Sequence, residues 1–176
     1  MPVLSEWINR HLRLAVNATK SGTGRPWERK FLGFRINPEG KIEAAPPSVE
    51  RCKANVREMW RNCQSQTSEE LRDAWRAYVR GWWGYYRLAE ERRNIFWLEG
   101  WIRRHLRACF WQRWDNWRGR RRKLRHLGRS GRLLKVAHRS RGAWRRAASP
   151  SLQPALSNAG LRRHGFWMPS DLAATV

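Results

Sequence analysis

Acidic residues are scarce in this sequence of 176 residues. Only 14 Asp and Glu stand against 37 Lys and Arg, which gives a formal net charge of +23 at pH 7. A chain with so large an excess of one charge repels itself unless a polyanion compensates it. The scarcity of acids therefore indicates a polyanionic partner, and nucleic acid is the first candidate.

Cysteine is scarce as well. Cys52, Cys63 and Cys109 are an odd number of cysteines, and no CxxC pair occurs. A disulfide framework pairs its cysteines, and a zinc site needs clustered Cys or His ligands. The five histidines show no ligand spacing with these cysteines, so we expect neither a metal site nor any other cofactor.

Long apolar runs are also missing. No stretch approaches the roughly 20 apolar residues that a membrane-spanning helix needs. The first residues, MPVLSEWINRHLRL, have neither the apolar core nor the cleavage site of a signal peptide. We therefore expect a cytoplasmic protein that does not bind membranes.

What the sequence does have is a segment rich in tryptophan and arginine over residues 80–117. Apolar side chains recur there at steps of three and four, which is the spacing of one helix face. They are Leu98, Trp101, Ile102, Leu106, Cys109 and Phe110. Arginines fall mainly outside this face. The pattern predicts a helix that is capped by Asn94 and runs to about Trp117, with an apolar side and a basic side.

Other helices are predicted on both sides of this segment. Residues 1–14 have the pattern of the end of an amphipathic helix, and residues 48–62 that of a complete one. Thr67 and Glu70 have the spacing of a capping box, which predicts that the next helix begins there. Near the C-terminus, residues 150–158 favour one short helix, and the last residues are expected to be loose.

The N-terminal quarter has β-favouring residues on both sides of a turn. The sequence Asn-Pro-Glu-Gly at residues 37–40 predicts a hairpin over residues 28–45, and Val16 is predicted to open a short strand. A hairpin alone is marginally stable, so this one must pack on a helix or on a partner. The sequence thus predicts a mainly α fold, a small helical bundle preceded by a short β-hairpin.

Several blocks resemble, in order and spacing, the group II intron-encoded reverse transcriptases. Val16-Asn17 and Lys20-Ser21, followed by FLGF, resemble the end of the family's palm. YVRGWWGYYRLA, LEGWIRRHLRACFWQRW and RGAWRRAASPSLQPALSNAGL resemble its thumb and maturase-specific domain. The resemblance implies the end of a palm over residues 1–46, a thumb-like maturase bundle over 47–117, and the basic C-terminal part of the maturase-specific domain over 118–176.

The resemblance also implies a partner and positions for contact. In the family this domain offers a basic, helical RNA-binding surface, so the implied partner is group II intron RNA, whose folding and splicing the protein would assist. Phe31, Leu32, Gly33 and Phe34 resemble the strand of the primer grip, and Lys20 matches a lysine near the nucleotide site. Simpler roles suit the same residues equally well, as strand core and as a solvated lysine.

The catalytic aspartates of the family's polymerase are missing. Its YADD-type motif lies upstream of the Val16-Asn17 block, and the chain has only Asp73, Asp115 and Asp171, widely separated. Two-metal nucleotidyl transfer needs carboxylates held together around the metals. We therefore expect a C-terminal fragment with no catalytic residue and no polymerase chemistry of its own. A DNA primer–template would be a partner only where a palm is supplied.

Binding of RNA needs cations for phosphates and flat side chains for unpaired bases. The basic residues within and after the helix predicted to begin at Asn94 are the phosphate candidates, Arg103, Arg104, Arg107, Arg113, Arg118, Arg120, Arg121, Arg122, Lys123 and Arg125. The stacking candidates at the same end of the segment are Trp111 and Trp114, followed by Trp117. The tryptophans expected in the core are Trp75, Trp82 and Trp101.

Four functions are open at this point. The chain is an RNA-binding maturase-type module, or part of a polymerase that needs a separate palm. Alternatively, it is a non-functional remnant whose hairpin has lost its sheet, or a general basic nucleic-acid-binding protein.

Overall fold

The computed structural model describes residues 2–17, 19–61, 63–128, 131–138, 142–149 and 152–174. The helices are α1 (Pro2–Leu12), α2 (Pro46–Arg61), α3 (Ser68–Tyr86), α4 (Arg93–Arg113), α5 (Trp117–His126), α6 (Arg132–Lys135), α7 (Ala143–Ala147), α8 (Asn158–Arg163) and α9 (Pro169–Ala173). Short 3-10 turns occupy Pro26–Glu28 and Val136–His138. Three short strands, β1 (Lys30–Phe31), β2 (Phe34–Ile36) and β3 (Ile42–Ala44), precede α2. The prediction of a mainly α fold is confirmed.

The strands form one antiparallel sheet in the order β1-β2-β3. The predicted hairpin is confirmed for β2 and β3, in which Phe34 pairs with Ala44 across the turn at residues 37–40. A second, tighter turn at Leu32 and Gly33 adds β1, and Gly33 has a φ of +80°. A Cβ on Gly33 would lie 2.7 Å from the Tyr86 hydroxyl. The close approach of α3 therefore favours glycine at this turn.

Helix α3 supports the sheet. The Phe34 ring lies 5.3 Å from the rings of both Tyr85 and Tyr86, and the Tyr85 hydroxyl donates to the Leu32 carbonyl at 2.6 Å. The hairpin thus packs on a helix of its own chain, as its length requires. The strand predicted at Val16 is wrong, because Val16 lies outside the strands of the described residues.

Helix α3 begins where the capping box predicts. The Thr67 hydroxyl accepts from the Glu70 amide at 3.1 Å, and the Glu70 carboxylate accepts from the Thr67 amide at 2.7 Å. Two amides at the helix start, which have no partner inside the helix, are satisfied in this way.

Helix α4 differs from its prediction at both ends. It begins at Arg93, and Asn94 lies inside its first turn, where the side-chain amide donates to Glu43 at 3.2 Å. It ends at Arg113 and not near Trp117, because Asp115 adopts a positive φ of 46° that no helix continues through. The predicted helix therefore ends about four residues early, and a separate helix, α5, begins at Trp117 after a sharp break.

The main core lies between α2, α3, α4 and the C-terminal segment. The apolar face predicted for α4 is confirmed, since Leu98, Ile102, Leu106 and Cys109 are buried. They pack against buried side chains of the neighbouring elements, among them Val56, Trp60, Leu71, Trp75, Val79, Leu161, Phe166 and Met168. Trp75 is fully buried, and Trp82 and Trp101 are partly buried against the same cluster. None of the helices in the described part of the chain is long and apolar enough to cross a membrane.

The C-terminal segment differs from its prediction. Ser157 caps α8 by accepting from the Gly160 amide at 3.0 Å, so the short helix begins at Asn158 and does not end there. Pro150 and Ser151, at the start of the predicted helix, lie outside the described residues. Near the end of the chain α9 packs on α3 and α4. The last two residues, for which a loose end is predicted, lie outside the described residues.

Removal of the Thr67 side-chain cap tests the start of α3. We expect Thr67→Ala to lower the free energy of unfolding by about 1 kcal/mol, since one amide of the first turn loses its acceptor. Urea unfolding followed by circular dichroism measures the change. Ser68→Ala, one residue further along, is the matched control and should stay within about 0.5 kcal/mol of the parent. Equal losses for both variants would contradict the capping role.

Candidate nucleic-acid interface

Helix α5 is held across the end of α4 by a cap and by a buried arginine. The Asn116 side chain accepts from the Gly119 amide at 2.8 Å and starts the helix directly after the break at Asp115. Arg120 is buried, donates to the Trp111 carbonyl at 3.2 Å, and places its guanidinium 5.0 Å from the centre of the Trp111 ring. On the inward side of α5, Leu124 packs in a second apolar cluster that includes Trp111. These contacts fix which side of α5 faces outward.

The outward side of α5 is strongly basic. Arg118, Arg122, Lys123 and Arg125 are exposed, and Arg121 is half-buried. The Arg121 Nε is buried and finds no acceptor among the described residues. No acid occurs in the helix itself, WRGRRRKLRH. The structure therefore brings five of the ten predicted phosphate-contacting residues together on the outward side of one short helix.

Arg107 and Arg120 have a different environment from the other candidates. Arg107 is buried in α4 and donates to the Leu156 carbonyl at 2.9 Å and to the Asn158 side chain at 2.6 Å. Burial lowers the pKa of both guanidinium groups, and the neighbouring charge of Arg103 contributes at Arg107. Both side chains connect segments of the chain by hydrogen bonds, and we assign them a structural role instead of a contact with phosphate.

The other arginines of α4 are also engaged within the chain. Arg103 pairs with the buried Glu99 at 2.8 Å, and Glu99 in turn accepts from Ser170. Arg104 donates to the Trp144 carbonyl at 3.1 Å and lies 4.0 Å from the centre of that ring. These side chains remain partly exposed, but their geometry is set by intramolecular contacts.

Of the tryptophans predicted to stack on bases, Trp111 is buried and Trp114 is half-buried beside it, with ring centroids 6.1 Å apart. Trp117 is exposed and stacks on the His138 ring at 4.6 Å. Because the Trp111 ring has no free face for a base, we assign it to the core. Trp114 keeps a free portion, and stacking there stays a prediction.

A cleft of about 510 Å³ lies where the start of α3, the end of α4, α5 and α8 meet. Its rim is mostly basic and carries Arg72, Arg113, Lys123, His126, Arg163 and His164, with Glu69 as the acid. Its floor is apolar and aromatic, made by Phe110, Trp114, Leu127, Ala155, Leu156, Leu161 and Phe166. The pattern of the sequence could not reveal this cleft, because its walls come from four separate segments of the chain.

The palm-like residues lie on another part of the molecule. Lys20 is exposed in the segment before β1, and Phe31 and Leu32 are exposed at the tight turn. Gly33 and Phe34 are partly buried against α3. None of these residues lines the basic cleft. Their contact with a primer or a nucleotide stays a prediction.

An aromatic cluster that the sequence did not reveal lies beside α4. The His105 ring lies between two tryptophan rings, 4.0 Å from Trp101 and 4.4 Å from Trp144. These two tryptophans are about 40 positions apart in the sequence. Burial, together with the nearby charges of Arg57 and Arg104, lowers the pKa of His105 to about 4. The imidazole is therefore neutral near pH 7 and acts as an uncharged aromatic spacer.

Metal ligands are not clustered in the part of the chain that the structure describes. No group of three or more His, Cys, Asp or Glu residues there is arranged to hold a metal ion.

The fold and this surface define a class of protein, a small mainly α domain that presents the basic side of an arginine-rich helix. Residues 49–128 match the family model of the group II intron, maturase-specific domain. The match extends from α2 to just beyond α5 and confirms, for these residues, the resemblance to the maturase-specific domain. The matched region is a maturase domain and not the catalytic part of a polymerase. A search of curated proteins found no match.

The structural role assigned to Arg107 is testable by Arg107→Met, which keeps a long side chain without its donors. We expect the free energy of unfolding to fall by about 2 kcal/mol, because the Leu156 carbonyl and the Asn158 side chain lose a charged donor. Arg122→Met on the exposed side of α5 should change it by less than about 0.5 kcal/mol. Chemical denaturation of both variants measures the difference, and unchanged stability in Arg107→Met would contradict the assignment.

The neutral His105 predicts a pH dependence of stability. The unfolded chain takes up a proton near the ordinary pKa of 6.5, whereas the folded protein does so only near 4. Because the unfolded state binds more protons in this interval, stability is full above pH 6.5 and falls as the pH drops toward 4. His105→Phe keeps an aromatic ring without a titrating group, so its stability should fall less over that interval. Parallel curves from urea unfolding at several pH values would exclude this role of His105.

Proposed function

We propose that this chain is an RNA-binding maturase-type module that assists the folding and splicing of a group II intron RNA, without polymerase chemistry of its own. One observation carries the proposal, which is that the basic surface of α5 lies inside the region that matches the maturase-specific domain. The residues that match the maturase-specific domain thus include those that form the basic surface.

The proposed mode of action is electrostatic. An RNA that folds must bring its phosphates close together, and bound cations reduce their repulsion. The four exposed side chains Arg118, Arg122, Lys123 and Arg125 stand on a helix that Arg120 and Asn116 hold in place. Because the helix is held in place, its cations favour those RNA folds that place phosphates opposite it. Such selection assists folding without making or breaking a bond.

The positions of the aspartates support a role without polymerase chemistry. Asp73 pairs with Arg72 at 2.8 Å on α3, and Asp115 lies in the turn between α4 and α5. Asp171 accepts from the Met168 amide at 2.9 Å and lies 3.3 Å from Arg162. The three carboxylates thus lie in three different segments of the chain, on α3, between α4 and α5, and on α9. A two-metal centre would need them side by side.

The proposal is tested by binding to intron RNA, to random RNA of equal length and to duplex DNA over a salt series. We expect the tightest binding for intron RNA. If the four exposed side chains each contact one phosphate, the logarithm of the affinity should fall with the logarithm of the salt concentration with a slope of about −3. Filter binding measures both quantities.

The matched variants for this test carry the same change of net charge at different places. Arg122→Gln with Arg125→Gln removes two cations from α5, and the slope should become shallower by about one to two. Arg51→Gln with Arg87→Gln removes two exposed cations elsewhere and should leave the slope nearly unchanged. Equal affinity for all three nucleic acids would contradict the maturase proposal and indicate a general basic binding protein. A broad, uncooperative thermal melt would indicate a non-functional remnant.

A further inference from the structure

The basic cleft between α3, α4, α5 and α8 differs from a plain basic surface, because it combines a cationic rim with an apolar floor. We propose that it holds a single unstacked nucleotide of a bound RNA, with the phosphate at the rim and the base over the floor. This inference rests on the proposed function and adds to it the form of RNA that the module recognises, an unpaired residue in a loop or bulge.

The rim offers cations that the protein does not neutralise itself. Lys123 and Arg163 are exposed and form no ion pair among the described residues. Arg113 is half-buried and donates to the Thr67 carbonyl at 3.3 Å, which directs the guanidinium along the wall without cancelling its charge. Glu69 is the acid among the lining residues. The local charge therefore favours an anionic group such as a phosphate.

The floor offers a fixed apolar surface to a planar ring. Phe110 is half-buried, and the buried Phe166 supports it edge to face, with their ring centroids 5.5 Å apart and their planes at 90°. Leu161 is buried beneath the cleft as part of the main core, so the floor is supported from below. Trp114 stands at the side, half-buried and with part of its ring free. Protein aromatic groups of this kind take up bases that have left the stack.

The shape of the cleft selects against double-stranded RNA. A paired base is covered on both faces by its neighbours, and only its edges and the backbone reach a protein surface. A base can reach an apolar floor below a charged rim only if it is turned out of the helix. The cleft volume of about 510 Å³ lies within the usual range of small-ligand pockets, roughly 300–1,000 Å³. Bulges, loops and ends are thus the parts of an RNA that fit.

The experiment uses an RNA hairpin with one bulged 2-aminopurine and the same hairpin fully paired without the bulge. The wild-type protein should bind the bulged hairpin about tenfold more tightly, because one base gains a stacking surface. Binding should also change the fluorescence of the 2-aminopurine, since that base moves onto aromatic side chains. Fluorescence titration at constant salt measures affinity and environment together.

Two pairs of variants separate the cleft from the remaining basic surface. Lys123→Gln should lower the affinity for the bulged hairpin and reduce its preference over the paired one at least threefold, whereas the adjacent Arg122→Gln, which does not line the cleft, should weaken both hairpins equally. Glu69→Gln removes the acid from the rim and should strengthen the preference for the bulge. Glu58→Gln makes the same change of charge on the exposed side of α2 and should not alter the preference.

The outcomes distinguish this inference from the proposed function. If wild-type protein binds both hairpins equally and with no change in fluorescence, the cleft inference is overturned while RNA binding by α5 stands. The same holds if Lys123→Gln and Arg122→Gln have identical effects. If the wild-type protein binds neither hairpin nor intron RNA, the proposed function itself fails. Because Glu69→Gln predicts a gain, a loss of folding in a variant cannot imitate the expected result.

Discussion

Hydrogen bonds from arginine side chains to main-chain carbonyls hold the elements after α3 in place. Arg107 donates to Leu156, Arg120 to Trp111, Arg76 to Gly165 and Arg104 to Trp144, at distances between 2.8 and 3.2 Å. With so few acids available, a buried guanidinium finds its acceptors on carbonyls and on aromatic faces. The Arg76 guanidinium, for example, also lies 4.3 Å from the centre of the Trp167 ring. The arrangement of the C-terminal segment depends on these contacts.

The arginines consequently fall into two populations with different tasks. Those directed inward position α5, α7 and the segment around α8, and their binding capacity is used by the chain itself. Those directed outward, such as Arg118, Arg122 and Arg125 on α5, keep their donors for a partner. The inward population determines the place of the outward one, since Arg120 and Asn116 fix the face that α5 presents. Recognition of RNA in the proposed function therefore depends on residues that do not touch it.

The sequence is a good guide to local structure here and a poor one to contacts between distant segments. The period of Leu98, Ile102 and Leu106 predicted the buried face of α4, and the spacing of Thr67 and Glu70 predicted a helix start. Both patterns are formed by residues that are three or four positions apart in the sequence. The predicted end of α4 near Trp117 is about four residues too late, because a positive φ at a non-glycine residue such as Asp115 leaves no periodic signal. The burial of Arg107 depends on acceptors 49 and 51 positions away, and charge patterns do not encode such partners.

The two buried arginines of the described residues, Arg107 and Arg120, donate to carbonyl oxygens, which carry no net charge and do not titrate. Such short contacts within a packed interior are little screened by dissolved ions, whereas attraction between exposed cations and phosphates weakens steeply once the screening length falls from about 10 Å at 0.1 M salt to about 3 Å at 1 M. Fold integrity and ligand retention thus respond to different concentrations of salt. A salt concentration high enough to dissociate a bound polyanion during purification should leave the domain folded and able to bind again after dialysis.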